Sequence, residues 1–136
     1  MSDKVVVAVS GYFDPMHVGH LEYLQLASKL GDKLIVIVNN NHQAELKKGE
    51  FFMHEKDRME IIAALRFVDE VFLSVDTDSS VCKSLEIIKP DIFANGGDRS
   101  LDEVPETAVM KKHNIKMVDG LGSKIRSSSD LTGIGI

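Results

Sequence analysis

Two histidines, His17 and His20, stand in the stretch Gly11–His20, which reads GYFDPMHVGH. Each imidazole can donate an N–H to a phosphate oxygen. Gly11 allows a tight turn. Asp14, ahead of Pro15, is placed to cap that turn. Gly19 carries no side chain, so a ligand can approach the backbone closely. The aliphatic run Val5–Val9 before this stretch reads as a buried strand, and the apolar-periodic stretch Leu21–Leu30 after it reads as a helix. The histidine pair therefore falls where a strand turns into a helix. A helix start offers unpaired N–H groups and the positive end of the dipole, a natural seat for phosphate. Together these features point to a site that handles nucleotide phosphates.

Three further segments carry chemistry of the same kind. In Asn95-Gly96-Gly97-Asp98-Arg99 the glycines expose backbone N–H groups, and Asp98 can accept from ribose hydroxyls. Arg99 can reach a phosphate or pair with a nearby carboxylate such as Glu103. The segment Gly120–Ser129 offers two cations, Lys124 and Arg126, and the cluster Ser127, Ser128 and Ser129 opening a short helix. Hydroxyls and helix-start amides suit a triphosphate tail. Lys47 and Lys48 add a cation pair in a polar stretch. Each segment also has a plain reading: a surface turn, a flexible serine-rich tail, a solvated charge pair. His42, His54 and His113 are isolated and read as surface residues, and Cys82 reads as a small core residue.

The elements that must position these groups alternate. Strands are expected at Lys4–Ser10, Lys33–Asn39, Glu70–Ser74, Asp91–Ala94 and Lys116–Val118. Helices are expected at Val18–Leu30, His54–Leu65, Ser79–Lys89 and Pro105–His113, with Gly31 as a left-handed cap on the first and Pro90 ending the third. Asn40–Phe52 is expected to be a polar loop. Such alternation with apolar strands implies an α/β fold, a Rossmann-like, doubly wound, parallel five-stranded sheet with helices on both faces. The chemistry-bearing segments follow strands one, two, four and five, so they converge on the carboxyl edge of that sheet, where ligands bind in such folds.

Composition bounds the rest. A chain of 136 residues fits one domain, 1–136. A formal net charge of −5 argues against bulk attraction to nucleic acid, so nucleotide contacts must come from a local cluster of donors. One cysteine excludes an internal disulfide and fits a reduced, cytoplasmic setting. No run approaches the roughly 20 apolar residues of a membrane span.

The first segment resembles the signature of the nucleotidyltransferase superfamily, Gly-x-Phe-Asp-x-x-His-x-Gly-His, at every fixed position: Gly11, Phe13, Asp14, His17, Gly19 and His20. The chain is most similar to small cytidylyltransferases such as glycerol-3-phosphate cytidylyltransferase, through Lys47 and Lys48, Glu55…Arg58, Arg66–Val71 and Lys89-Pro90-Asp91. Heptose-phosphate adenylyltransferase domains share the ground plan and a Gly-Gly-Asp after strand four. In the third segment the family reads Arg-Thr-x-Gly-Ile-Ser-Thr-Thr. Ile125, Ser127 and Ser128 match it; Leu121, Lys124 and Arg126 replace its arginine, glycine and serine.

The resemblance implies transfer of a nucleoside monophosphate, CMP from CTP, to a small phosphorylated acceptor with release of pyrophosphate. The alternatives are an adenylyltransferase using ATP on a sugar phosphate, or a non-catalytic nucleotide sensor on the same fold. It implies catalytic roles for His17, His20, Lys47 or Lys48, and Lys124 or Arg126. It implies nucleotide contacts from Gly11, Tyr12, Phe13, Asp14, Gly19, Asn95–Arg99 and Ser127–Ser129. Mg²⁺ would arrive with the triphosphate, with no protein side-chain ligands. A homodimer is implied by resemblance, while charge and hydropathy lead us to expect neither nucleic acid nor membrane as partner. A metal site built on His17 and His20 is a weaker reading, since no cysteine or carboxylate lies nearby at zinc-like spacing.

Overall fold

The computed structural model describes residues 4–13, 18–50, 53–78, 80–94 and 106–118, and for residues 47 and 48 the backbone alone. Five strands form one sheet: β1 (Val6–Gly11), β2 (Lys33–Val38), β3 (Glu70–Leu73), β4 (Ile92–Ala94) and β5 (Lys116–Val118). All neighbours run parallel, in the order β3-β2-β1-β4-β5. The chain winds outward one way through β2 and β3, then crosses back to β4 and β5. The reversal lies at the boundary between β1 and β4. The expected parallel, doubly wound sheet is present.

Period-two alternation sorts the strand side chains onto two faces. Val7, Val9, Leu34, Val36 and Val38 form one core with Tyr23, Leu24 and Ala27 of α1 (Val18–Ser28). Ile62 of α3 (Glu55–Ala63) joins that core. Ala8, Ile37 and Phe93 form the other core, with Leu85 of α4 (Cys82–Ile88) and with Val109 and Met110 of α5 (Thr107–Lys112). Cys82 is half-buried against this second core.

Three expectations need correction. Asn40–Phe52 is not a loop throughout: Asn41–Lys48 is a helix, α2. Its start is a capping box. The Asn40 side chain accepts from the Gln43 N–H, and Gln43 Oε1 accepts from the Asn40 N–H. Gly49 (φ 86°) closes its far end in the left-handed conformation. The helix escapes an apolar pattern search because its fully buried residues are Gln43 and Ala44, one of them polar. Gly31 is not a left-handed cap, since Gly49 is the glycine with positive φ among the described residues. Gly31 is required for space: a Cβ there would lie 2.6 Å from the Val5 carbonyl oxygen and 2.8 Å from Val7 Cγ2. The helix expected to reach Leu30 stops at Ser28, and the Lys29 and Leu30 amides close a tighter turn onto Leu26 and Ala27. The short helix expected from Ser127 lies outside the described residues.

Candidate active site

β1 ends at Gly11, opposite Val38 of β2. The ladder continues one step further, with the Asn39 N–H donating to the Gly11 carbonyl at 2.9 Å. Ala94, the last residue of β4, lies against Val9 on the other side of β1. The ends of β1, β2 and β4 therefore form one edge, at the point where strand order reverses.

The turn out of β1 is built around Phe13. It adopts φ 51°, uncommon for a non-glycine residue, and is almost fully buried. Its ring covers Gly11 so closely that a Cβ on Gly11 would meet it at 2.7 Å. The same ring meets the His20 imidazole edge-on, with centroids 5.0 Å apart and planes at 71°. His20 lies in the first turn of α1, so the phenyl ring fixes an imidazole beside the amino end of that helix. Tyr23, one turn on, donates its hydroxyl to the Ala94 carbonyl at 2.6 Å and ties α1 to the end of β4.

Arg58 of α3 holds this turn to the next. Its side chain is buried, 1% exposed. Nη1 donates to the Tyr12 carbonyl at 2.8 Å and to the Asn39 carbonyl at 2.6 Å. Nε donates to the Met53 carbonyl, and Nη2 to Asn41 Oδ1, each at 2.9 Å. One guanidinium thus joins the chain leaving β1, the chain leaving β2 and the start of α2. Asn41 and Glu55 add a reciprocal pair: the Asn41 N–H donates to Glu55 Oε1, and the Glu55 N–H donates to Asn41 Oδ1. The sequence marks Glu55 and Arg58 as family-like but carries no sign of these contacts, since the partners are mostly backbone carbonyls distant along the chain.

Polar side chains extend the same edge toward α4. Asn40 Nδ2 donates to the carbonyls of Ser74 and Asp76, and Gln43 Nε2 donates to those of Asp78 and Ser80. Asp76, buried, accepts from the Lys83 and Ser84 amides and the Ser84 hydroxyl, so its charge is used at the start of α4. Asp78 is solvent-facing; the Ser80 hydroxyl and amide both donate to it and hold its carboxyl below the usual range. Burial pushes the Tyr12 phenol up, and the Glu106 carboxylate adds to the rise. Burial likewise pushes the Cys82 thiol up, opposed by a hydrogen bond to Ser80.

The expected site residues divide as follows. Gly11, Tyr12, Phe13, Gly19 and His20 come together at the β1 end. Lys47 and Lys48 stand in the last turn of α2, not in a loop. Asp14, His17, Asn95, Gly96, Gly97, Asp98, Arg99, Lys124, Arg126, Ser127, Ser128 and Ser129 lie outside the described residues. Of the histidines expected at the surface, His42 is exposed. His54 is exposed and caps α3 by accepting the Lys56 N–H on Nδ1. His113 is partly buried, with no hydrogen-bond partner on Nε2. Among the described residues no group of three or more His, Cys, Asp or Glu side chains could hold a metal ion. No described helix is long and apolar enough to cross a membrane.

Comparison with known proteins places this edge in context. The cytidylyltransferase-like family model matches residues 8–129. A FAD synthase of Thermococcus sibiricus is 39% identical over 116 residues, spanning 82% of this chain and 76% of the relative. The bifunctional protein HldE of Citrifermentans bemidjiense is 40% identical over 124 residues, which are 86% of this chain and 25% of that longer protein. Among solved structures, a lipopolysaccharide core biosynthesis protein from Thermoplasma volcanium superposes with a TM-score of 0.73 at 30% identity, covering 85% of this chain and 95% of that one. By the extent of these matches the chain belongs to the cytidylyltransferase-like family and is a nucleotidyltransferase.

Proposed function

We propose that this chain transfers AMP from ATP to the phosphate of a small phosphomonoester and releases pyrophosphate. The observation that supports this reaction class is the His20 imidazole, held by Phe13 beside the start of α1 at the strand-order reversal. That is where a helix start can receive phosphate. The choice of ATP over CTP rests on the FAD synthases among the relatives. FAD is an adenylate joined through a pyrophosphate to a flavin phosphate, so its synthesis draws on an adenylate donor.

An oxygen of the acceptor phosphate attacks the α-phosphorus of ATP. The new P–O bond forms as the bond to the β-phosphate bridging oxygen breaks, and that oxygen leaves with pyrophosphate. The acceptor is already an anion and needs no strong base. The barrier lies in bringing two polyanions together and in the charge that builds on the α- and β-phosphates. In this proposal His20, with His17, donates to those oxygens, and the α1 amides add the helix-start field. Lys47 or Lys48, and Lys124 or Arg126, supply the remaining positive charge. Asp98 and the glycines beside it serve the nucleoside, and the cluster from Ser127 serves the triphosphate. Mg²⁺ enters on the triphosphate, since it favours phosphate oxygens and water over an all-protein cage.

The test is pyrophosphate release from ATP and from CTP, with FMN, glycerol 3-phosphate and sugar phosphates as acceptors. ATP is expected to be the better donor, and His20→Ala is expected to lower turnover by about 10²–10³, the usual effect of losing one transition-state donor. A loss under about tenfold removes His20 from the chemistry. A preference for CTP overturns the choice of base.

A further inference from the structure

Glu106 lies outside the machinery just described. It is the residue before α5, on the same edge as the end of β1 and the start of α4. Its side chain is 5% exposed. Oε2 accepts the Val81 N–H at 2.9 Å, where α4 begins. Oε1 is buried and has no hydrogen-bond partner. A buried carboxylate oxygen without a donor is costly and calls for a partner.

The neighbours of this oxygen indicate what that partner is. The charge of Glu106 is felt by Tyr12, in the turn after β1, and by Cys82, in the first turn of α4. The carboxylate therefore stands between the turn after β1 and the α4 side of the edge. A carboxylate there repels phosphate, so it does not serve the polyanionic part of either substrate. It accepts from a neutral donor. Both substrates of the proposed reaction offer hydroxyls: the ribose of ATP, and the carbon chain of a polyol or sugar phosphate.

We propose that Glu106 is a specificity residue, its Oε1 accepting a hydrogen bond from a substrate hydroxyl at the carboxyl edge while its Oε2 stays on Val81. This rests on the adenylyltransferase reading and narrows it, because it favours hydroxyl-bearing ligands over their deoxy analogues. A site built to pair with a hydroxyl discriminates strongly against a ligand that lacks one.

Glu106→Gln is the sharp substitution. Its amide oxygen can keep the Val81 N–H, while its NH₂ replaces an acceptor with a donor where Oε1 stood. Calorimetry would measure ATP, 2′-deoxy-ATP, 3′-deoxy-ATP, FMN and glycerol 3-phosphate against both proteins. If the ribose is the partner, the variant binds ATP about tenfold more weakly and no longer separates ATP from one deoxy analogue. If the acceptor is the partner, ATP binding holds and FMN or glycerol 3-phosphate binding falls by about that factor. Unchanged constants for every probe the native protein binds overturn the proposal, as does a variant altered in melting temperature alone.

Should the variant not fold, the native protein decides. Equal affinity for parent and deoxy nucleotides, and for glycerol 3-phosphate and propanediol phosphate, overturns the proposal. Failure of the underlying reading looks different: the native protein would then release no pyrophosphate with any donor and acceptor.

Discussion

A guanidinium removed from water must have its donors met, and Arg58 meets four acceptors from three separate parts of the chain. This makes it a positioning residue: it touches Tyr12 and Asn39 through their carbonyls and sets the spacing between two turns of the edge. Lysine keeps the charge but offers a single nitrogen, which cannot span those carbonyls in the planar fork that arginine provides. Arg58→Lys is expected to cost about 2–4 kcal/mol of stability, from lost charge-assisted bonds and buried carbonyls left unpaired. The variant that remains folded is expected to lose kcat more than ATP affinity, because the β1 turn shifts relative to the bound phosphates. Denaturant unfolding and steady-state kinetics check this; native stability and native kcat would remove Arg58 from the argument.

At the level of elements, close approach and capping decide the boundaries. Asp32, Asp69 and Asp91 each stand just before a strand, and each accepts the N–H of a residue at the amino end of the neighbouring strand at 2.8 Å: Val5, Leu34 and Val6. These acids pin the register at the edge opposite the site. Gly31 serves the same packing, where the chain leaving α1 passes against the start of β1. Gly31→Ala is expected to destabilise by about 1–3 kcal/mol, since the methyl group would meet a backbone oxygen with no room to move. A denaturant midpoint equal to that of the native protein would contradict the reported crowding. The α2 helix shows the limit of pattern reading. Its Asn40-x-x-Gln43 box is a recognisable start signal, but with few apolar residues behind it only the packing of Gln43 against the Asp78 and Ser80 carbonyls reveals a helix.

For the molecule as a whole, the site depends on a sheet whose strand order reverses beside β1. That arrangement gathers segments far apart in the chain onto one edge, and a ligand bound across them should stabilise the entire fold. ATP with Mg²⁺ at 100 times its dissociation constant is expected to add about 2.7 kcal/mol. For a chain of this size that corresponds to a melting shift of roughly 5–20 °C. CTP at the same concentration should shift it less. A melting temperature indifferent to both nucleotides would remove the polyphosphate site.

What the amino-acid order determined by itself is local: the alternation of apolar strands and helices, and the glycine and histidine spacing after the first strand. These follow from neighbours within a few positions, where backbone geometry and side-chain period act directly. The burial of Arg58 against carbonyls of the β1 and β2 turns, the lock of Phe13 on His20 over Gly11, and the unmatched oxygen of Glu106 were decided only by tertiary structure. Each depends on groups brought together by the parallel crossovers, and the carbonyl acceptors that Arg58 meets are carried by every residue whatever its side chain. Such pairings therefore leave no signature in the order of side chains.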